Sequence, residues 1–297
     1  MTLLVADRKR IATEIAHCKT LYEGFDAPGK MIQALGDVLN DCAKRQGGVE
    51  KNAQMQDLHG EEPEVRLARG ESLNYHFTVN SAFLTLMLQN AAKALGDTRA
   101  VVGKSLEQAK GPWNNGEHGS AAELTLQDVF DLWQLVQKTR SVAPDLTSLL
   151  FSSVLSRVYQ ATVGATKDEW DLEPWHRGSC PVCGQRPHYG QLLSEQGTKV
   201  LECWLCGTQW NHTRLQCPFC ELREHDELGY FVVEGRSVCR VQFCRRCSQY
   251  YKIFDTRDMI NEDILLSVHH LASLEYDVMA EKEGFRPGSG LSWMVGV

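Results

Sequence analysis

The spacing of apolar positions divides the chain in two. Up to about residue 165 they recur at helical intervals, with Ile11, Ile15 and Cys18 on one face and Met31, Leu35, Val38 and Leu39 on another. Gly47-Gly48 predicts the end of that second helix. A longer pattern over residues 71–95, through Phe77, Phe83, Leu84, Met87 and Leu88, predicts one continuous helix. Residues 111–119, Gly-Pro-Trp-Asn-Asn-Gly-Glu-His-Gly, read as loop. Helical patterns follow over 124–136 and 144–159. The first carries Thr125-Leu-Gln-Asp128, a capping box with Asp in the last place, and Pro144 suits the first turn of the second. No long strand pattern interrupts this region, so residues 1–170 are expected to form an all-α bundle.

Past the polar, acidic run at 166–173, broken by Pro174 and Gly178, the pattern changes. Short strand-like runs pair as hairpins: 189–193 with 199–201 around Gln196-Gly197, then 230–233 with 238–243 around Glu234-Gly235-Arg236. Helical spacing returns over 261–281, with Ile264, Val268, Leu271 and Val278 on one face. His269 and His270 are adjacent there and point to different sides, which makes them poor co-ligands.

The hairpins are framed by cysteines. Nine of the chain's 11 fall between Cys180 and Cys247, and eight form Cys-x-x-Cys pairs: Cys180/Cys183, Cys203/Cys206, Cys217/Cys220 and Cys244/Cys247. Such a pair turns two sulfurs toward one point, and two pairs supply four thiolates for a tetrahedral ion. Cys180-Pro-Val-Cys183 answers Cys217-Pro-Phe-Cys220, and each second pair is followed four residues on by an aromatic, Trp210 or Tyr251. This repeat of knuckle, hairpin and knuckle assigns Cys180, Cys183, Cys203 and Cys206 to one site and Cys217, Cys220, Cys244 and Cys247 to another. Interleaved pairing remains an alternative.

Gly184 and Gly207 can take the positive φ that turns backbone N–H groups toward the sulfurs, whereas Glu221 and Ser248 meet that demand poorly. The second site is therefore expected to be the more strained or the looser. Zinc and iron suit four thiolates equally, and either would be closed to substrate. Cys239 is expected to pack against its hairpin, and Cys18 and Cys42 to act as small hydrophobes. His17, His59, His76 and His118 show no ligand spacing. His176, His188, His212 and His225 are weaker ligand candidates, because the cysteines already complete both sites.

At 297 residues and 43% hydrophobic content the chain can build a substantial core, and no run approaches a membrane span. The N-terminus does not read as a signal peptide, which leaves a reducing, cytoplasmic setting and argues against disulfides. The net charge of −7 disfavours a nucleic-acid-binding zinc ribbon. No Gly-rich phosphate loop, nucleophile elbow or His-Glu metalloprotease motif is present, so neither an enzyme nor a small-molecule substrate is expected. Trp204, Phe219, Arg245 and Arg246 on the knuckle loops are candidate contact residues for a partner.

Cys-Pro-Val-Cys-Gly, Cys-x-x-Cys-x-x-x-Trp, Arg214-x-x-Cys-Pro-x-Cys and Cys-x-x-Cys-x-x-Tyr-x-Lys252, with the later Asn261-Glu-Asp263 and Leu271-Ala-Ser-Leu274, resemble the FdhE family of formate dehydrogenase accessory proteins. The resemblance covers about residues 175–285. It implies a cytoplasmic assembly factor that binds the catalytic subunit of respiratory formate dehydrogenase before export, with each four-cysteine set in a rubredoxin-like module holding one mononuclear ion. It favours iron, with zinc the alternative. The expected α+β, multidomain architecture is a helical domain (1–170), two tandem rubredoxin-like or zinc-ribbon modules (176–215 and 216–256) and a C-terminal helix and tail (257–297). The rival reading is a rubredoxin-like electron-transfer protein.

Overall fold

The computed structural model describes residues 8–21, 29–94, 123–138, 144–164, 170–234, 236–257 and 264–289. The loop at 111–119, with Trp113 and His118, and Asn261-Glu-Asp263 lie outside the described residues, as does the side chain of Met31.

The first part is built from α1 (Arg8–Leu21), α2 (Gly29–Lys44), α3 (Gln46–Asn52), α4 (Pro63–Ala68), α5 (Ser81–Ala94), α6 (Leu126–Lys138) and α7 (Pro144–Gly164). Ile11, Ile15 and Cys18 form the buried stripe of α1, and Leu35, Val38 and Leu39 that of α2. Gly47-Gly48 does not end α2. The chain breaks at Arg45, and both glycines lie inside the short α3. Thr125 and Asp128 make the reciprocal cap: Asp128 Oδ2 accepts from the Thr125 backbone N–H at 2.8 Å, and Thr125 Oγ1 accepts from the Asp128 N–H at 3.2 Å.

The 71–95 pattern is not one helix. Residues 76–80 form strand β2 (His76–Asn80), which pairs with β1 (Ala53–Gln56) and β3 (Glu123–Thr125) in a three-stranded antiparallel sheet. Within β2 only Phe77 and Val79 are buried, the two-residue alternation of a strand hidden inside helix-spaced apolar positions. The switch comes at Asn80, whose Oδ1 accepts from the Phe83 N–H at 3.0 Å and caps α5.

The second part is a seven-stranded sheet. The first copy gives β4 (Pro187–Leu193), β5 (Thr198–Cys203) and β6 (Gln209–Asn211). The second gives β7 (Leu228–Val233), β8 (Arg236–Cys244) and β9 (Gln249–Asp255). The order is β6-β5-β4-β9-β8-β7, and a short β10 (Arg286–Pro287) also pairs with β9. Within each copy neighbours are antiparallel. The join is parallel, with Tyr189 opposite Lys252 and Leu192 opposite Asp255. The copies therefore follow one another head to tail across one sheet.

The predicted C-terminal helix begins later and is broken. Helix α8 (Leu266–Ala272) ends at Ser273, whose Oγ donates to the carbonyls of His269 and His270, and α9 (Leu274–Lys282) starts anew. Lys252 of β9 reaches into this break. Its Nζ donates to the His270 and Ser273 carbonyls at 2.8 and 3.2 Å and is paired with Asp277. One core unites α2, α5, α6, α7 and the first cysteine set. A second joins α1, β4, β8, β9, α8 and α9 through Ile15, Val241, Phe254, Val268 and Tyr276.

Candidate metal centres

The structure gathers the cysteines as two sets without interleaving. Cys180, Cys183, Cys203 and Cys206 have their sulfurs within 4.8 Å of one another, and so do Cys217, Cys220, Cys244 and Cys247. In the first set Sγ–Sγ separations are 3.4 Å (Cys180–Cys206), 3.4 Å (Cys183–Cys203) and 3.6 Å (Cys183–Cys206). In the second they are 3.8 Å (Cys217–Cys247) and 3.7 Å (Cys220–Cys244). A disulfide would need about 2.0 Å. A tetrahedron with metal–sulfur bonds of about 2.3 Å has edges of about 3.8 Å. Both sets fit a tetrathiolate ion, and the first is drawn slightly tighter.

Each knuckle is made by the same backbone turn. Gly184, Gly207 and Glu221 donate their N–H to the carbonyl of the cysteine four residues back at 2.9–3.0 Å, and the chain then bends back. The turn needs positive φ, and Gly184 (70°) and Gly207 (66°) supply it freely. Glu221 (58°) and Ser248 (54°) adopt the same conformation against steric cost. The expected strain thus sits in the second site, at about 1–2 kcal/mol per residue. Backbone N–H groups reach the sulfurs there, among them Phe219 N, 3.4 Å from Cys217 Sγ.

The two sites differ in their surroundings. All four sulfurs of the first belong to buried cysteines, and its knuckle is stitched to the helical part. Leu73 and Asn74 donate N–H to the carbonyls of Pro181 and Val182 at 2.7 and 2.8 Å, Ser72 Oγ donates to Cys180 O, and Ser156 Oγ of α7 donates to Trp204 O. In the second site Cys220 is exposed and Cys247 half-buried. Its own small core holds Cys217, Leu222 and Cys244.

The thiols reflect this. Burial raises Cys183 and Cys203 well above the ordinary thiol range. At Cys206 burial is outweighed by the three neighbouring sulfurs and by the Thr208 hydroxyl 3.1 Å away, which hold it well below that range. At Cys220 the Leu222 N–H and the facing sulfurs likewise overcome burial. Thr208 was not singled out in the sequence, although a hydroxyl two residues beyond a knuckle cysteine is the signal that would have found it.

The remaining candidates fall outside both sets. Cys42 and Cys239 are buried thiols pushed up to about 12 by that burial, and Cys18 is raised further, by burial and then by the charge of Glu14. His188 and His212 are buried, and loss of hydration drops each to about 3. His188 Nε2 faces His270 Nε2 at 2.9 Å, a bond that needs one donor and one acceptor nitrogen. Trp204 is not a contact residue. It lies buried against Phe130 and Trp133 of α6. Phe219 is half-buried and edge-on to Tyr251, while Arg245 and Arg246 are exposed.

A helical part joined to a sheet that bears two four-cysteine clusters defines the class: an α+β protein with two sets of metal-ligating geometry. Residues 179–214 match the family "FdhE, central domain". A protein FdhE homolog of Aquifex aeolicus is 32% identical over 126 residues, 41% of this chain and 43% of that protein. Another, from Pectobacterium atrosepticum, is 36% identical over 118 residues, 38% of this chain and 37% of that one. The matched stretch spans less than half the length of these curated relatives. The crystal structure of the FdhE protein from Pseudomonas aeruginosa has the same fold, with a TM-score of 0.63 over 98% of this chain and 99% of that one, at 20% identity. The chain is thus similar to FdhE proteins in sequence over the cysteine-bearing stretch and in fold over nearly its whole length.

Proposed function

We propose that the chain is an accessory protein for formate dehydrogenase rather than an enzyme. In this reading it works in the cytoplasm and holds the catalytic subunit before export through a surface that includes both cysteine modules. The observation that carries the reading is the pair of preformed tetrathiolate cages. Each is closed to substrate and sets its loops rigidly. Cys180, Cys183, Cys203 and Cys206 would hold one ion, and Cys217, Cys220, Cys244 and Cys247 the other. The resemblance favours iron, and four sulfurs suit zinc equally. The bound ion would neutralise thiolate charge and clamp the knuckles. No helix among the described residues is long and apolar enough to cross a membrane.

The second module is the favoured contact face. A cleft of about 80 Å³ beside it is lined by Cys217, Pro218, Phe219, Gln242 and Tyr251. Leu215 and Tyr230, on its rim, are more than half exposed. Arg246 adds an exposed cation nearby. Such a mix of apolar pocket, aromatic and arginine is what interface anchors use. The test is co-purification of the tagged chain with the formate dehydrogenase catalytic subunit, for wild type and for Cys217→Ser/Cys220→Ser, alongside formate dehydrogenase activity of the host. Capture and activity are expected to fall together in the variant. A folded variant that captures the subunit and restores activity as well as wild type would overturn the reading.

A further inference from the structure

Helices α1 and α8 meet in the second core, among residues of neither cysteine set. Glu14 and His17 stand three residues apart on α1 and so share a face. His269 of α8 comes down onto that face. Its Nε2 lies 2.7 Å from Glu14 Oε1, and its ring stands edge to face with that of His17 at 6.3 Å between centroids. One donor atom from each of the three lies within 4.8 Å of the other two. Glu14 and His269 are 2% and 0% exposed, whereas His17 is half-buried and leaves a route from solvent. Phe254 covers the His269 ring on the sheet side at 5.5 Å.

A buried carboxylate–imidazole pair would account for Glu14 and His269 alone. It does not require a third ligating atom at the same point. Glu-x-x-His on one helix, completed by a residue from another, is a spacing that metal sites in helical proteins use. We propose that Glu14, His17 and His269 form a third metal site, for a divalent first-row transition ion, separate from both cysteine sets. One carboxylate oxygen and two imidazole nitrogens make a harder donor set than four thiolates, suited to Zn(II), Co(II), Fe(II) or Mn(II). Three protein donors leave coordination positions open, so an ion here could accept a further ligand, which the closed cysteine cages cannot. Ligation by His269 Nε2 requires that this nitrogen carry no proton. The proton it shares with Glu14 must move to the other ring nitrogen or to solvent. Because the donors are 255 positions apart, an ion would tie the first described helix to α8 and stabilise the contact between them.

The experiment is anaerobic equilibrium dialysis of the full chain against Co(II), read by elemental analysis and by sulfur-to-cobalt charge-transfer absorbance. Wild type is expected to take up three equivalents. His17→Ala, a change at a half-buried side chain, is expected to take up two with the charge-transfer absorbance unchanged, and Glu14→Gln to behave alike. Saturation of wild type at two equivalents would overturn the proposal. So would a third equivalent that survives in both variants, or a His17→Ala protein that loses the charge-transfer absorbance, since the site would then not be separable from the cysteine cages.

Discussion

The two cysteine sites share one turn, one spacing and one sheet, yet only the first is part of the core that holds the helices together. Its knuckle carbonyls receive bonds from residues 72–74 and from α7, and its sulfurs lie among the side chains that hold the helices together. The second relies on a few residues of its own and shows Cys220 to solvent. The two copies share their ligands but not their environment. The lesson is that equal coordination geometry does not imply equal consequence for the fold. The first ion would be bound up with global stability, and the second with a local loop.

The largest effect should separate the sites at once. Cys180→Ser/Cys183→Ser is expected to remove one metal equivalent and to cost the whole molecule about 5 kcal/mol or more, because structural tetrathiolate sites contribute folding energy directly. Cys217→Ser/Cys220→Ser should also remove one equivalent while leaving the main thermal transition nearly in place. Metal analysis with calorimetry decides this, and equal losses of stability would erase the contrast.

A smaller effect tests the turns. Gly184→Ala forces a Cβ into a left-handed position, 2.5 Å from Asn74 Oδ1, and is expected to cost about 2 kcal/mol. Ser248→Gly relieves the same conformation in the second site and should gain about 1 kcal/mol. Denaturant midpoints of the metal-loaded proteins give both numbers. Two changes of the same sign would mean that strain is not concentrated in the second copy.

An effect of similar size is acid sensitivity where the first copy meets the second. His188 opens β4 and, with its value lowered from 6.5 to about 3 chiefly by burial and then by the Lys252 charge, is held neutral. The unfolded chain binds the proton more readily. His188 therefore contributes full stability above about pH 6.5, and that contribution is lost progressively as pH falls toward 3. Between neutral pH and 5.5 the loss from this group is about 1.3 kcal/mol. His188→Gln should flatten the pH profile of unfolding by that amount, and an unchanged slope would remove His188 as the cause.

Local rules were enough for much of this. The Cys-x-x-Cys pairs, the hairpin turns and the Thr125–Asp128 box are short-range signals, and each appears where its spacing put it. The strain at Glu221 and Ser248 was legible too, because a knuckle turn dictates φ whatever residue occupies it. Strand β2 was hidden because Phe77 and Val79 also fit a helical stripe, and the cap at Asn80 that separates strand from helix is a single side chain. The break at Ser273 depends on Lys252 reaching in from another strand, and the burial of Trp204 on helices that arrive from far away in sequence. Such contacts leave no local pattern. For the same reason His17 and His269, each unremarkable in its own neighbourhood, become neighbours only when α1 and α8 close together.

The parallel join of β4 to β9 sets the order in which the molecule can be completed. Residues 180–206 hold a full ligand set and a hairpin, so the first cage can close while later residues are still being synthesised. Strand β4 then presents an unpaired edge until residues 252–255 arrive to cover it, and an exposed edge invites pairing with the wrong chain. The contact between Glu14 and His269 closes a loop of 255 positions and comes later still. Long loops close more slowly than short ones, so the β4–β5 hairpin is expected to form before α1 meets α8.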